Sequence, residues 1–465
     1  MERIDCDVVI VGAGASGLTV AARLKDAGRS VIVLEARDRV GGRLWTDEVG
    51  GAMLEIGGQW VSPDQDALIE TLDELGLETY PRYRKGVNVY IGPDGDLKKF
   101  EGEIFPVPPA TEQEILTLIE KLDALVAEID PERPWDHPQA KDLDEISFAR
   151  WLETQTDDEE ARENVGMFVA GAMLTKPAHA FSALQALLMA ASAGSFSNLV
   201  DADFILDRRV VGGLQQVPIR LAERLGGAVR LGQPVRTVRW SGAEGRSDAA
   251  ASRVVAVTDA FEVHARHVVL AVPPILIDRI SFEPPLPRRQ QQLHQHLSMG
   301  FVIKVHAVYE TPFWRAAGLS GTAFSPYELV HEAYDNTNHG DPRGTLVGFV
   351  ADEAADEVFQ LGAEERRARI LESLSHYYGE QALHPVVYYE SDWGSEEWTR
   401  GAYAASFDMG GLARYGADLR TPVGPSHFAC SDMAGKGYQH VDGAIRVGRE
   451  VADEILAADE LRAAS

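Results

Sequence analysis

Residues 7–18 read DVVIVGAGASGL, and this stretch decides the fold of the chain. An apolar run ends at a glycine-rich turn, after which residues 18–24 have the pattern of a helix. In such a turn Gly12 permits the tight bend, Gly14 lets a pyrophosphate approach the backbone, and Gly17 lets the helix pack closely on the strand. Because free N–H groups at a helix N-terminus favour anions, the pattern predicts a dinucleotide-binding βα unit.

A second apolar run, residues 30–34 (SVIVL), ends at Glu35. An acid about 20 residues after the glycine turn suits a ribose 2′-hydroxyl and disfavours a 2′-phosphate. Strand, turn, helix, strand and terminal acid in this order predict an α/β fold with a Rossmann-type domain. The alternative is a glycine-rich turn with a purely structural role.

The residues that follow distinguish between dinucleotides. Residues 37–43 read RDRVGGR, a second turn of glycines and arginines for which a nicotinamide dehydrogenase has no need. This turn resembles the RxGGR turn of the flavin amine oxidase family. The resemblance implies FAD, with Glu35 on the adenosine ribose and Arg43 near the phosphates and the flavin. The alternative for Arg39 and Arg43 is solvated surface charge.

A chain of 465 residues is too long for one ordinary core, and 45% hydrophobic with 25% charged residues is typical of a globular protein. We therefore expect two intertwined domains. The resemblance implies a discontinuous Rossmann-type FAD-binding domain, of the glutathione-reductase-like kind, interleaved with an α+β substrate-binding domain. The expected FAD-binding segments are 1–88, 208–298 and 396–465, and the expected substrate-binding segments are 89–207 and 299–395.

The net charge is −28, from 44 basic and 72 acidic residues. Such a surface repels nucleic acid and anionic membranes and attracts small cations, although solubility alone would also account for it. No apolar run approaches 18 residues, so we expect no membrane span. Two cysteines, Cys6 and Cys430, and a strand close to the first residue favour a cytoplasmic protein without a signal peptide. No cluster has metal-ligand spacing, so no metal is expected.

Local patterns predict several further elements. Residues 110–195 have apolar residues at helical spacing and interrupt the βα rhythm, which indicates the helical half of a substrate domain. Residues 231–238 and 297–309 are predicted to be strands. The last helix is predicted over 444–456.

Lys304 is a candidate catalytic residue. It is the only lysine in the apolar strand predicted over 297–309, and a lysine there is costly to bury unless it is paired or functional. The resemblance implies that Lys304 binds a water at flavin N5 that assists reoxidation by O2. The alternative is a lysine on an edge strand that extends its amine into solvent.

Two positions resemble the cage that holds the amine beside the flavin: Tyr403 matches one wall, and His440 stands where many relatives have a second tyrosine. By the same resemblance, Trp60, where many relatives have a tyrosine, would look into the substrate cavity. A positive imidazole would repel the amine, so we expect His440 to be neutral. Ala402 stands where relatives with covalent flavin have a cysteine, which implies noncovalent FAD.

The resemblance also implies further contacts with FAD. The Gly-Gly stretch before Trp60 would pass along the flavin, Val235 would meet the adenine, and Pro273 would close over the diphosphate. Asp432 would meet the ribityl chain or the diphosphate. The complete expected set is Gly12, Gly14, Ala15, Ser16, Gly17, Glu35, Ala36, Arg37, Gly42, Arg43, Gly58, Gln59, Trp60, Val235, Pro273, Trp393, Ala402, Asp432, His440 and Val441.

Glu332 is a candidate for substrate binding, because it falls where relatives place an apolar or tyrosine gate. A carboxylate at the far end of an apolar tunnel would pair with the second ammonium of a diamine. As the alternative, Glu332 or the nearby Glu328 is simply surface charge. Within the family, the segments most similar to the branch that oxidises the diamine putrescine are residues 57–65, 173–179, 396–403 and 437–444.

The expected reaction is therefore putrescine + O2 + H2O to 4-aminobutanal + NH3 + H2O2, by transfer of a hydride equivalent from the α-carbon to flavin N5. Relatives are often dimers, so a homodimer is expected. An oxidase of monoamines or longer polyamines and a non-catalytic flavin-binding protein remain open. An amino-acid oxidase would need a cavity arginine for the carboxylate, and the sequence identifies none.

Overall fold

Residues 8–11 form the central strand of a five-stranded parallel sheet in the computed structural model. The structure describes residues 2–102, 104–241 and 254–464. Val8–Val11 is a strand whose four residues are all buried, and Ala15–Asp26 is the helix that follows it. Because both faces of the sheet are covered, its strands Val8–Val11 and Val31–Leu34 are continuous apolar runs. The predicted α/β fold is confirmed. In spatial order the five parallel strands are Val229–Arg230, Val31–Leu34, Val8–Val11, His267–Leu270 and Ser426–Phe428.

The last helix packs on the first. It runs over Val441–Ala464, so it begins three residues earlier and ends eight residues later than the prediction. A Cβ built on Gly448 would lie 2.8 Å from the carbonyl oxygen of Ser16, which shows how closely the two helices approach. This contact places the first turn of Ala15–Asp26 against the N-terminal half of Val441–Ala464.

A seven-stranded sheet positions the second half of the site. Its register places Phe349 opposite Lys304 on one neighbouring strand and opposite Glu332 on the other. The three side chains therefore share one face, with Lys304 and Glu332 separated by two strand spacings, or roughly 10 Å. In spatial order the strands are Val387–Glu390, Val302–Tyr309, Gly344–Ala351, Glu332–Asp335, Leu319–Phe324, Val87–Ile91 and Leu97–Phe100.

The helical character predicted for 110–195 is confirmed. The segment forms α-helices and one π-helix, Ala170–Leu174, which continues directly from an α-helix. Such π-turns are frequent at functional sites. The helices of this region are Pro109–Val126, Pro134–Asp136 (3-10), Ala140–Glu145, Phe148–Gln155, Glu159–Val169, Ala183–Ser192, Phe196–Val200 and Ala202–Ile205.

Smaller sheets and helices complete the described structure. The remaining strands are Glu2–Asp5, Phe261–Ala265, Val254–Val257, Thr237–Trp240 and Ser281–Glu283 in one sheet; Trp60–Val61, Arg208–Val210 and Thr79–Pro81 in another; and the pairs Leu297–Met299 with Ala405–Phe407 and Thr46–Val49 with Ala52–Glu55. The remaining α-helices are Asp66–Glu74, Gln216–Leu225, Pro274–Ile277, Arg288–Gln295, Phe313–Ala316, Asp352–Phe359, Ala363–Tyr378 and Gly411–Tyr415, and the remaining 3-10 turns are Gly226–Ala228, Glu380–Leu383, Gly416–Asp418 and Ser431–Met433.

The strand predicted over 231–238 is wrong for residues 231–236, because the observed strand, Thr237–Trp240, begins only at Thr237. Gly232 has a φ of +65°, which belongs to a turn, and its N–H donates to the carbonyl of Arg37 at 2.8 Å. The N–H of Gln233 donates to the carbonyl of Glu35 at 2.8 Å, so this segment follows the end of the parallel sheet as an irregular strap. Pro234 has no N–H to donate to a neighbouring strand, so this part of the segment does not pair as a strand despite its apolar residues.

The strand predicted over 297–309 is divided into Leu297–Met299 and Val302–Tyr309. Gly300 lies at the break, where a Cβ would come within 1.9 Å of Thr175 Oγ1. The division into two domains at the expected boundaries stays a prediction. Among the helices in the described part of the chain, none has the length and apolar character needed to cross a membrane.

Candidate active site

The three glycines of the first turn have different environments. Gly12 has a φ of +106°, and a Cβ on it would lie 2.4 Å from the carbonyl oxygen of Ala271. A Cβ on Gly17 would lie 2.2 Å from the carbonyl oxygen of Gly12, so Gly17 serves helix packing and does not line the cavity. A Cβ on Gly14 would meet no heavy atom within 4 Å. Gly14 caps the helix and faces a cavity, so space is left there for a ligand.

Glu35 ends the second parallel strand and lines the same cavity. Its Oε2 accepts the N–H of Ala13 at 2.8 Å and its Oε1 accepts the N–H of Arg37 at 2.9 Å. These bonds fix a buried carboxylate. Since a carboxylate has about four lone-pair sites, Glu35 keeps acceptor capacity for a hydroxyl group.

Arg43 lines the cavity above a buried acid. Its guanidinium donates to Asp432 Oδ1 at 3.2 Å and makes a second contact with Oδ2. Burial opposes ionisation of Asp432, yet the Arg43 charge and several hydrogen bonds hold the pKa of this carboxyl below its ordinary value. Asp432 contacts Arg43 and is not among the described residues that line the cavity, so its expected contact with the cofactor stays a prediction.

One continuous cavity joins this phosphate-binding turn to the seven-stranded sheet. Apart from Gly17 and Asp432, every residue predicted to bind FAD lines it, as do all those predicted to act on substrate. The lining residues shared with the prediction are Gly12, Gly14, Ala15, Ser16, Glu35, Ala36, Arg37, Gly42, Arg43, Gly58, Gln59, Trp60, Val235, Pro273, Lys304, Glu332, Trp393, Ala402, Tyr403, His440 and Val441.

Lys304 is buried, with only 4% of its surface exposed, on a strand that has a neighbour on each side. This position excludes the alternative of an edge-strand lysine that reaches solvent. Its Nζ donates to the carbonyls of Glu55 at 2.7 Å and Gly57 at 2.8 Å and to Gln59 Oε1 at 2.5 Å. Three acceptors match the three hydrogens of an ammonium, while burial lowers the pKa of Lys304 to about 7.

The partners of Lys304 belong to a closed ring of buried hydrogen bonds. Gln59 Nε2 donates to Asn336 Oδ1 at 2.7 Å, and Arg209 Nη1 donates to the Asn336 carbonyl at 2.7 Å. Arg209 Nε donates in turn to Glu55 Oε2 at 2.8 Å, and the Glu55 carbonyl accepts from Lys304. The ring fixes Lys304 and the cavity-lining Gln59 in one arrangement.

Four aromatic rings enclose the space between Lys304 and Glu332. The ring centroid of Trp60 lies 5.8 Å from that of Tyr334 and 5.9 Å from that of Phe349, and the ring centroids of Phe349 and Tyr403 are 6.2 Å apart. All four line the cavity. The Trp60–Tyr334 and Phe349–Tyr403 contacts are edge-to-face and the Trp60–Phe349 contact is tilted, and such contacts hold the rings in defined orientations.

His440 lies at the N-terminus of the last helix and lines the cavity. Its Nδ1 is 2.9 Å from the carbonyl oxygen of Tyr438. A carbonyl only accepts, so Nδ1 carries the hydrogen and Nε2 has the lone pair of a neutral ring. Burial lowers the pKa of His440 and favours the same neutral form.

Glu332 lies at the opposite end of the aromatic enclosure and is 5% exposed, which excludes surface charge. Its Oε2 accepts the Tyr334 hydroxyl at 2.7 Å, and its Oε1 is 3.7 Å from Nε2 of His331. Burial raises the pKa of Glu332 to about 7. By contrast, Glu328 lies outside the cavity, where it accepts from Ser373 and pairs with His376.

These features fit a flavin dinucleotide. The cavity offers an open helix N-terminus at Gly14 for phosphates, a fixed carboxylate at Glu35 for a ribose, and an arginine, Arg43, between them and the aromatic enclosure. Ala402 on the cavity wall has no atom that could form a thioether. In the described segments no group of three or more His, Cys, Asp or Glu side chains is arranged to hold a metal.

Comparison with known proteins agrees with this geometry. Residues 15–456 match the family described as flavin containing amine oxidoreductase. The chain belongs to this family. As a flavin amine oxidase it takes FAD as cofactor, and the predicted fold and cofactor are confirmed.

Relatives of this amine oxidase act on different substrates according to their names. Putrescine oxidase of Kocuria rosea is 64% identical over 464 residues, which cover 99% of this chain and 97% of the relative. Flavin-containing amine oxidase B of Sus scrofa is 33% identical over 458 residues, covering 97% and 86%. The L-amino acid dehydrogenase of a Synechocystis strain is 31% identical over 461 residues, covering 97% and 95%. Family membership alone therefore does not define the substrate.

Solved structures of two amine oxidases with different substrates also superpose on this chain. A putrescine oxidase bound to putrescine superposes with a TM-score of 0.95 at 63% identity, covering 98% of this chain and all of that one. Cyclohexylamine oxidase from Brevibacterium oxydans superposes with a TM-score of 0.91 at 31% identity and the same coverage.

Sequence reasoning missed part of the amine oxidase cavity. The apolar residues of the helical segment follow helical spacing, and this pattern indicates a core without distinguishing residues that face a cavity. Tyr334 and Phe349 could have been found only from the sheet register. The additional lining residues include Phe168, Ala172, Met173, Leu199, Val200, Ile205, Leu206, Arg236, Arg279, Tyr334, Phe349 and Trp398.

Proposed function

We propose that the protein is an oxidase of a primary diamine, most simply putrescine, and produces 4-aminobutanal, ammonia and H2O2 with O2 as the acceptor. The observation that carries this proposal is Glu332, a buried acid at the far end of an otherwise largely aromatic and apolar enclosure. The 64% identity to the putrescine oxidase of Kocuria rosea supports the same substrate. FAD, when bound, supplies the acceptor for the hydride equivalent from the α-carbon.

The reacting amine must be neutral before it can be oxidised. An alkylammonium with a pKa near 10 loses its proton at pH 7 at a cost of about 4 kcal/mol. We propose that Tyr403, His440 and Trp60 hold this amine. None of the three carries a charge at neutral pH in this structure, so the enclosure does not favour the ammonium.

The distal amine has the opposite requirement. Glu332 has one hydrogen-bond donor, Tyr334, and no lysine or arginine forms an ion pair with it among the described residues. A distal ammonium would supply the missing cation, and the pairing would orient the α-carbon toward the flavin end. The chain thus offers a neutral end and an acidic end within one enclosure.

Oxidation of a simple monoamine is the second candidate. The relatives that act on cyclohexylamine and other monoamines share this fold, and the apolar lining beside Glu332 would accommodate a hydrocarbon. An α-amino acid is disfavoured, because its carboxylate would enter a cavity whose far end already carries a buried acid.

We also propose that Lys304 assists the reaction of the reduced enzyme with O2, as the family resemblance implies. Burial lowers the pKa of Lys304 to about 7, and loss of one proton would expose a lone pair to a water molecule at the cost of one of its three hydrogen bonds. A homodimer and a cytoplasmic location are retained as predictions.

Anaerobic mixing of the purified protein with putrescine, followed by its visible spectrum, tests the proposal. We expect bleaching of the flavin band, with H2O2 produced when air is admitted. Bleaching by n-butylamine but not by putrescine would favour the monoamine candidate. A yellow protein that neither amine bleaches would contradict both.

A further inference from the structure

Glu332 is unusual among the buried acids of this protein because its charge has so little compensation. Glu55 accepts two hydrogen bonds from Arg209 and one from the N–H of Leu214, and Asp432 pairs with Arg43. Among the described residues, the hydroxyl of Tyr334 is the one donor to Glu332. A buried carboxylate with one neutral donor is costly as an anion, so it takes up a proton or a cation.

A proton acceptor lies next to it. Nε2 of His331 is fully buried, has no hydrogen-bond partner among the described residues, and lies 3.7 Å from Glu332 Oε1. The π-helix Ala170–Leu174 covers this ring, since a Cβ on Gly171 would lie 3.2 Å from the same nitrogen. A small shift of either side chain would place a carboxylic O–H within hydrogen-bond reach of a neutral imidazole nitrogen.

We propose that Glu332 and His331 hold one proton between them in the substrate-free cavity, and that the distal ammonium of a diamine displaces this proton into solvent. The inference rests on the proposed diamine function. On binding, the O–H bond of the Glu332 carboxyl breaks, the proton passes to water, and the carboxylate pairs with the ammonium. No electron is transferred in this step.

The titratable groups around the pair support one proton at this position. Burial raises the pKa of Glu332 to about 7 and lowers the pKa of His331 to about 4, so the proton belongs to the carboxyl. On the same strand, Tyr334 donates to Glu332. Burial and the Glu332 charge raise the pKa of the facing Tyr403 phenol well above its ordinary value, so it stays neutral.

The charges on neighbouring elements are compensated elsewhere. Arg82 lies behind Tyr334, 5.3 Å from the ring centre, and pairs with Asp203. Lys304 lies beyond Phe349 and has three acceptors of its own. The residues opposite Glu332 on the two adjacent strands, Phe324 and Phe349, carry no charge.

Calorimetry of the holoenzyme tests the proposal. The flavin is first photoreduced without oxygen, so that a bound amine cannot be oxidised. Putrescine and n-butylamine are then titrated at pH 6 in phosphate and in MES, and at pH 9 in borate and in CHES, because the two buffers of each pair differ in ionisation enthalpy. Any proton lost by the reacting amine is common to both ligands, so the difference between them isolates the Glu332 site.

We expect putrescine to release close to one proton more than n-butylamine at pH 6 and close to none more at pH 9. Glu332→Gln should abolish the excess, whereas the matched control Glu328→Gln, outside the cavity, should retain it. Equal release by both amines at pH 6, or an excess that persists in Glu332→Gln, would overturn the inference. If putrescine binds more tightly than n-butylamine without the excess, the diamine proposal survives alone; if putrescine does not bind, both proposals fail.

Discussion

Lys304 and Glu332 face the same cavity from the same sheet, with Phe349 between them, yet the protein treats their charges differently. Within the described segments, Lys304 has three acceptors for its three hydrogens, whereas Glu332 has a single donor. A buried polar group whose hydrogen bonds are all made within the protein is held in place by the fold, while one that lacks partners can take a partner from a ligand. The difference indicates that the protein itself supplies the hydrogen-bond partners at the Lys304 end of the cavity, whereas the substrate supplies the missing partner at the Glu332 end.

The largest effect is expected at the satisfied end. Arg209→Met removes the partner of the fully buried Glu55 carboxylate and opens the ring that fixes Lys304. Breaking a buried pair from one side costs about 3–5 kcal/mol in the free energy of unfolding. Chemical denaturation of the apoprotein would measure it. A loss below about 1 kcal/mol would show that the ring is not a structural unit.

The glycines of the first turn extend the same comparison to the cofactor. Gly17→Ala would place a methyl group 2.2 Å from the Gly12 carbonyl and should destabilise the apoprotein by about 1–3 kcal/mol. Gly14→Ala meets no protein atom and has an ordinary φ of −77°, so the apoprotein should unfold almost as the parent does. Its flavin content should nevertheless fall, because the methyl group occupies space left for the phosphates. Normal flavin content in Gly14→Ala would remove Gly14 from the cofactor site.

The sequence was sufficient to predict the positions that local motifs define. The glycine turn, Glu35 and the buried lysine each follow from residues close together in the chain. The ring that fixes Lys304 was not predictable, because Gln59, Asn336 and Arg209 come from segments that are far apart in the chain and meet only in the folded protein. Such contacts depend on tertiary packing rather than on a local pattern.

Family resemblance also had a physical limit. It identified Asp432 as a position near the cofactor, but a position in a motif does not distinguish direct contact from contact through another side chain. In the structure Asp432 contacts Arg43, which lines the cavity, and is not itself among the described lining residues.

A smaller effect is expected from Tyr334→Phe, which removes the hydrogen bond from the Tyr334 hydroxyl to Glu332 and keeps the ring. A hydrogen bond to a charged group contributes about 1.5–3 kcal/mol, so KM for putrescine should rise roughly tenfold or more. The bond lowers the pKa of Glu332, so its loss should move the pH below which putrescine binds poorly to a higher value. Steady-state kinetics from pH 6 to 9 would show it, with n-butylamine as the control. An equal change for both amines would contradict this role.

The most direct test of the account compares putrescine with n-butylamine in the parent protein and in Glu332→Gln. The two side chains have the same shape, so the substitution removes the charge and leaves the enclosure intact. Loss of one partner of a buried charge pair costs about 2–5 kcal/mol, so kcat/KM for putrescine should fall at least 30-fold. That for n-butylamine should change less than about threefold. Equal losses for the two amines, or none, would contradict the claim that Glu332 is the end of the cavity that the substrate completes.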